Sequence, residues 1–289
     1  MRLFQLAITF VFIFLNSDIV NGNGNDGSIY FIRSNQLYQL SLNTLQSRSI
    51  LTDEIIASPI ELFDNDMLVV RNKKIIRINP NSFRQEVITN GYNPSYLPKN
   101  RTLFFYREQG EDEWLFCKNG NGEKKIARSP IHRNQLATNV GKAKKVDKIK
   151  TRSPVKYNDE NIAFIGENGN LWTYSVKDAK LNDTGISDCS PLLAIENGVI
   201  LCKSHSGQSV FILRLRNGEK DTLPLPNKTG AFAYNKELGV LYFSTVDTEF
   251  FIREIYPLMF YSFHDGRTGE LLHNFPVSSM LWTTDTVQK

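Results

Sequence analysis

The stretch Gly27-Ser-Ile-Tyr-Phe-Ile-Arg-Ser-Asn-Gln-Leu-Tyr-Gln-Leu-Ser-Leu42 decides the fold. Two runs of aromatic, β-branched and leucine side chains flank the polar pair Ser34-Asn35, which reads as two antiparallel strands joined by a tight turn. A third run, Gln46 to Leu51, follows at once. Apolar runs along the rest of the chain are equally short and are punctuated by Asn, Gly, Asp and Pro. No amphipathic stretch of helical period lasts long enough to compete.

Stacking the chain on itself exposes a repeat of about 35 to 40 residues. The second unit comprises strands at 58–63, 67–71, 74–78 and 84–89, and the third at 93–97, 101–106, 113–118 and 123–128. The fourth occupies 153–157, 161–166, 170–176 and 180–185, and the fifth 189–195, 198–203, 209–215 and 220–225. The sixth occupies 230–234, 239–245, 258–263 and 270–275. Pro59, Pro94, Pro154 and Pro191 open first strands, where a missing N–H breaks no ladder bond. Asn168-Gly, Asn197-Gly, Asn217-Gly and Asp265-Gly supply hairpin turns that need positive φ.

The first unit lacks one strand, and a surplus strand, Ser278 to Thr283, follows the sixth. A ring closed by pairing the C-terminal strand with the first unit requires that arrangement, and closure removes exposed edges. The fold class is therefore all-β: a single β-propeller of six four-stranded blades, closed by a C-terminal strand joining the first blade. A seventh blade hidden in 128–152 stays open at this point.

Gly27 to Leu42 resembles the blade core of TolB-like, YWTD-like and WD40-like propellers, and Asn168 to Val176 and Gly239 to Thr245 echo it. Asp265-Gly-Arg-Thr-Gly-Glu-Leu-Leu272 is similar to the outer hairpin of quinoprotein or WD40-like blades. The resemblance implies the fold across nearly all of 28–289. An intact Tyr-Trp-Thr-Asp box, the sialidase box and the paired WD40 signature are absent, so no family's functional residues carry over.

Met1-Arg2 and the apolar run Leu3 to Leu15, then Val20-Asn21-Gly22, read as a signal peptide over 1–22. The run is short of the roughly 20 residues that a membrane helix needs. Residues 23–27 read as a flexible linker before the propeller. These features predict a secreted or extracytoplasmic protein with no transmembrane span. The sequons at Asn100, Asn182 and Asn227 are glycosylation candidates, although the Asn, Ser and Thr content would produce about as many by chance. Three cysteines exclude a disulfide scaffold. Whether Cys189 and Cys202 are bridged or are buried free thiols stays open, since their offset from the 196–198 turn does not set them directly opposite.

At 289 residues, 41% hydrophobic and 22% charged, with a net charge of +4, the chain has ordinary globular composition and no nucleic-acid signature. Its positive charge is concentrated in a basic insertion over 128–152. There Arg128, Arg133, Lys142, Lys144, Lys145, Lys148, Lys150 and Arg152 face one acid, Asp147. The insertion joins the last strand of one blade to the first of the next, and the acidic hairpin Arg107 to Glu113 emerges at the same end. This basic group is the candidate binding site for a protein or polyanionic glycan. The insertion lacks interleaved aromatics, which argues against nucleic acid.

The four histidines, His132, His205, His264 and His273, show no metal-like spacing and read as surface residues. First strands offer Glu61 and Lys156 among Tyr96, Tyr157, Phe232, Tyr234 and Trp282, with Asp64, Asp66, Asp159 and Asn161 in the turns that follow. That set is short of the six to eight oxygens that calcium takes. No nucleophile elbow is present. The favoured reading is a monomeric, non-enzymatic binding module with no cofactor and no catalytic or metal residues. The alternative is a six-bladed hydrolase or lyase with a metal in a central channel.

Overall fold

A computed structural model describes residues 27–51, 59–129, 154–226, 228–249, 253–277 and 279–284. The first three strands are β1 (Gly27–Arg33), β2 (Gln36–Ser41) and β3 (Ser47–Leu51). The second sheet comprises β4 (Glu61–Phe63), β5 (Asp66–Arg71), β6 (Lys74–Ile78) and β7 (Gln85–Asn90), and the third β8 (Tyr92–Leu97), β9 (Thr102–Gln109), β10 (Asp112–Asn119) and β11 (Gly122–Arg128). The fourth is β12 (Val155–Lys156), β13 (Asn161–Ile165), β14 (Leu171–Ser175) and β15 (Lys180–Asp183). The fifth is β16 (Ser190–Glu196), β17 (Val199–Lys203), β18 (Val210–Arg214) and β19 (Lys220–Thr222). In the sixth, β20 (Thr229–Asn235) and β21 (Val240–Thr245) are followed by a hairpin, β22 (Asp247–Glu249) with β23 (Arg253–Ile255), before β24 (Leu258–Ser262) and β25 (Thr268–Leu272). The last strand, β26 (Ser279–Thr284), returns to the first sheet.

Beside the two-stranded β22–β23 hairpin, six sheets each hold four antiparallel strands, and the first has the order β26-β1-β2-β3. The fold is a six-bladed β-propeller closed by its C-terminal strand, as the surplus strand predicts. The boundary expected at residue 27 shifts by one: Gly27 already belongs to β1, where it pairs with Thr284. Residues 1–22 lie outside the described residues, as does the rest of the linker.

By contact density the chain divides into two compact units, with the boundary running through the second sheet. One unit is Met1–Met67, Ile78–Gln85 and Lys228–Lys289, and the other Leu68–Arg77 and Glu86–Asn227. In the first, Ile29, Phe31 and Leu40 pack with Val240, Tyr242, Phe260, Phe275 and Met280. The Phe31 and Phe275 rings lie 4.4 Å apart. Met280 is buried, and Trp282 packs against the same cluster. In the second unit, Phe104, Tyr106 and Leu115 join Ile162, Phe164 and Tyr174. A further cluster there gathers Ala163, Leu171, Cys189, Ile200, Cys202 and Leu213.

Local chemistry explains where the strands start and turn. Pro94 sits within a register shift of the β8–β9 pair and Pro191 at one of the β16–β17 pair, so neither missing N–H breaks a regular ladder. The glycines of the four Asn-Gly and Asp-Gly pairs all have φ between 69° and 80°. Gly27 and Gly166 answer a different need, for each lies beneath an indole. A Cβ would fall 2.8 Å from Trp282 Nε1 at Gly27 and 2.4 Å from Trp172 Nε1 at Gly166. The three cysteines are buried and free. Cys202 pairs across the ladder with Pro191 and not with Cys189, as the turn offset predicts.

Candidate functional site at the polar end of the third blade

The β9–β10 hairpin turns at Gly110 and Glu111, and β11 ends beside it before the basic insertion begins. Strand pairing decides which of its side chains meet. Tyr106 opposes Tyr92 on one side and Leu115 on the other, and Glu113 opposes Glu108. Period 2 along β10 therefore sets Glu113, Leu115 and Cys117 on one face, with Tyr92 and Tyr106. Leu115, Cys117 and Tyr106 fill the core shared with the fourth blade, which carries the carboxylate of Glu113 inward with them.

Glu113 is 3% exposed, and it accepts a hydrogen bond from the Tyr92 hydroxyl. The backbone N–H of Ser129 donates to its carbonyl oxygen at 2.9 Å, tying the root of the insertion to the start of β10. Burial, followed by the hydrogen bond and charge of Glu113, holds the Tyr92 phenol far above its ordinary range. Burial and then the same charge do so at Tyr106. Both tyrosines thus stay protonated. The Tyr106 hydroxyl and Ser129 Oγ are buried and have no hydrogen-bond partner among the described residues. Two unspent hydroxyls beside a buried carboxylate make a polar end on an otherwise apolar face.

The opposite face of the blade is satisfied by its own side chains and by β7 of the second sheet. The Arg107 guanidinium lies over the Phe105 and Phe116 rings, 5.1 and 5.0 Å from their centroids. It donates to Glu123 Oε2 at 2.9 Å, Thr89 Oγ1 at 2.8 Å and the Asn90 carbonyl at 2.9 Å. Partial burial pushes the Glu123 carboxyl up, but hydrogen bonds from Thr89 and Arg107 outweigh it and leave the pKa lowered. On the Glu113 face, Lys73 Nζ reaches Glu108 Oε2 at 2.6 Å. Arg128 pairs with Asp112, and Lys125 Nζ sits 4.1 Å from the Trp114 ring centroid.

The acids of the hairpin Arg107 to Glu113 have different surroundings. Glu108 and Asp112 are paired with cations and Glu113 is internal, while Glu111 stands exposed at the tip. Of the predicted basic site, Arg128 is described and is held by Asp112. Arg133, Lys142, Lys144, Lys145, Lys148, Lys150 and Arg152 lie outside the described residues, as does the segment left open for a seventh blade. Sequence reasoning passed over Glu113, although its spacing of two and four from Leu115 and Cys117 was the signal.

The other candidates scatter. His205, His264 and His273 are exposed, and His132 lies outside the described residues. Asp66 is buried at the start of β5, where it accepts from Asn79 Nδ2 at 2.7 Å, and Asn161 Nδ2 donates to Asn158 Oδ1 at 2.9 Å. These turn residues are engaged in shaping their own loops. Among the described residues, no three His, Cys, Asp or Glu side chains come together in a way that could hold a metal ion. No helix among them is long and apolar enough to cross a membrane. Asn100 and Asn182 are described, and Asn227 is not.

No protein-family model matches the chain. No curated protein matches it. Solved structures do match. A chain of a nidogen/laminin complex superposes with a TM-score of 0.62 at 11% identity, covering 90% of this chain and 99% of that one. A structural-genomics protein from Bacteroides thetaiotaomicron gives 0.53 at 8% identity, covering 89% and 85%. An oligogalacturonate lyase in complex with manganese gives 0.52 at 11% identity, covering 82% and 70%. At these identities the likeness is one of fold, and at that level the chain is a β-propeller, as its blade-core residues imply.

Proposed function

We propose that the protein is an exported, non-enzymatic recognition module that binds a polyanionic glycan or an acidic protein surface through the basic insertion between its third and fourth blades. One observation carries the reading: eight cationic residues stand against a single acid over 128–152, in a chain whose net charge is only +4. The root of that stretch gives it a firm base, because Ser129 is bonded to β10 and Arg128 is paired with Asp112. Loops on a rigid scaffold are where binding residues concentrate. The fold itself does not choose between roles, since it occurs both in a nidogen/laminin complex and in an oligogalacturonate lyase. The charge distribution supports the binding reading. Export is supported by Met1-Arg2 and the apolar run that follows.

The test is retention on an immobilised sulfated polysaccharide. Wild type is expected to bind at low salt. The variant with Lys142, Lys144, Lys145, Lys148 and Lys150 all changed to Ser is expected to flow through with an unchanged melting temperature. Equal elution of the two would overturn the reading. Export is checked by N-terminal sequencing of secreted material, which should begin near Asn23.

A further inference from the structure

We propose that Asn182 is a site of N-linked glycosylation on the free edge of the fourth blade, and that Asn100 is not. The inference rests on the export reading only in that the acceptor must reach a compartment where oligosaccharide is transferred. Both residues carry the same Asn-x-Thr pattern, at 100–102 and 182–184. The sequence alone cannot rank them. Their surroundings can.

Asn182 lies in β15, the edge strand of its sheet, and pairs with Thr173. Its side chain is exposed and makes no hydrogen bond among the described residues. The residues on either side hold the strand without using it. Asp183 is gripped by Asn168 Nδ2 at 2.6 Å and by the Gly185 N–H at 2.9 Å. Thr184 Oγ1 donates to the Leu171 carbonyl at 2.7 Å. Alternation along the strand turns Asp183 to the opposite face from Asn182, so a bulky substituent on Asn182 leaves the Asp183 contacts in place.

Asn100 is placed differently. It is half-buried in the β8–β9 turn, and its Nδ2 already donates to the Asp159 carbonyl at 3.1 Å. Thr102 is 1% exposed, and its Oγ1 donates back to the Asn100 carbonyl at 3.0 Å. A glycan there must displace the contact with Asp159 and wedge open a packed turn. In the transfer the Asn182 Nδ2–C1 bond forms as the C1–O bond of a diphosphate-linked oligosaccharide breaks. The diphosphate leaves with the electron pair, and the Nδ2 proton is released to base. The product has a physical use: among the described strands β15 pairs with β14 alone, and a glycan covers an edge that could otherwise template association.

The experiment expresses the full chain in secretory eukaryotic cells, once with its own N-terminus and once behind a heterologous leader. Glycopeptide mapping then reads Asn100 and Asn182 in secreted material. The expected result is high occupancy at Asn182 and little at Asn100. Asn182→Gln and Thr184→Ala should each remove that glycan, and Thr184→Ser should retain it. If the chain leaves the cell only behind the heterologous leader and still carries the Asn182 glycan, the export reading fails and the site stands. Secreted protein bare at Asn182, or as fully occupied at Asn100, would overturn the site whichever leader was used.

Discussion

β21 and β25 belong to one sheet, yet every residue of β21 is buried and none of β25 is. The contrast repeats across the molecule. β1 and β5 are buried along nearly their whole length, whereas β3, β7 and β19 are exposed over most of theirs. A strand second in its sheet is covered on both faces, so most of its positions are apolar and well packed. A strand at the free edge has no such demand and can carry charge, as Lys124 and Lys125 do in β11. Stability is thus concentrated in one set of strands and chemical variety in the other. The site at the third blade forms where the two meet, as the buried end of β10 reaches the exit of β11.

The most drastic way to break this contrast is to open the first sheet. Ending the chain at Pro276 removes β26, with buried Met280 and the packed indole of Trp282. Each large apolar side chain returned to water costs about 1.5–3 kcal/mol. Against a typical total of about 5–15 kcal/mol, the truncated chain should aggregate or melt far below the full one. A retained melting temperature would show that closure contributes nothing.

Smaller effects sharpen the comparison within one blade. Phe104→Ala in β9, where the ring is fully buried, should cost about 3–5 kcal/mol in denaturant unfolding. Lys124→Ala in β11 should change stability by no more than about 0.5 kcal/mol. Equal costs would erase the distinction drawn here. At the junction, Glu113→Ala leaves the half-buried Tyr92 hydroxyl without its acceptor and should cost about 1–3 kcal/mol. A neutral result would mean that the buried carboxylate is dispensable to the fold.

The smallest expected effect concerns acid. The Glu123 carboxyl is held below its ordinary range by Thr89 and Arg107, despite the upward push of partial burial. A carboxylate with a lowered folded-state pKa adds stability that is present at neutral pH and lost as pH falls through that value. Wild type should therefore lose melting temperature more steeply below about pH 4 than Glu123→Gln does. Parallel curves would remove Glu123 from the account.

The same contrast explains what the sequence disclosed. The doubly covered strands read as short, dense apolar runs, and Asn-Gly and Asp-Gly turns mark their ends, so all six sheets and the closing strand were legible. The β22–β23 hairpin was not, because Asp247–Glu249 and Arg253–Ile255 are short and largely charged and give no apolar run to find. Glu113 was missed for a related reason. In a cluster of acids it reads as a turn residue, and only pairing with Leu115 and Cys117 on one face reveals that it points inward. Arg107 likewise reads as a surface charge until the rings of Phe105 and Phe116 are seen beneath it.

We propose that recognition resides in the basic insertion, apart from the strands that hold the fold. Titration calorimetry of a soluble sulfated polysaccharide into the full chain at several salt concentrations tests it most directly. Exposed charges are screened over about 8 Å at physiological salt, so affinity carried by the insertion must fall steeply as salt rises. The account predicts that steep fall for wild type, and no detectable binding for the variant with serine at 142, 144, 145, 148 and 150. Salt-insensitive binding, or binding that survives those substitutions, would contradict it.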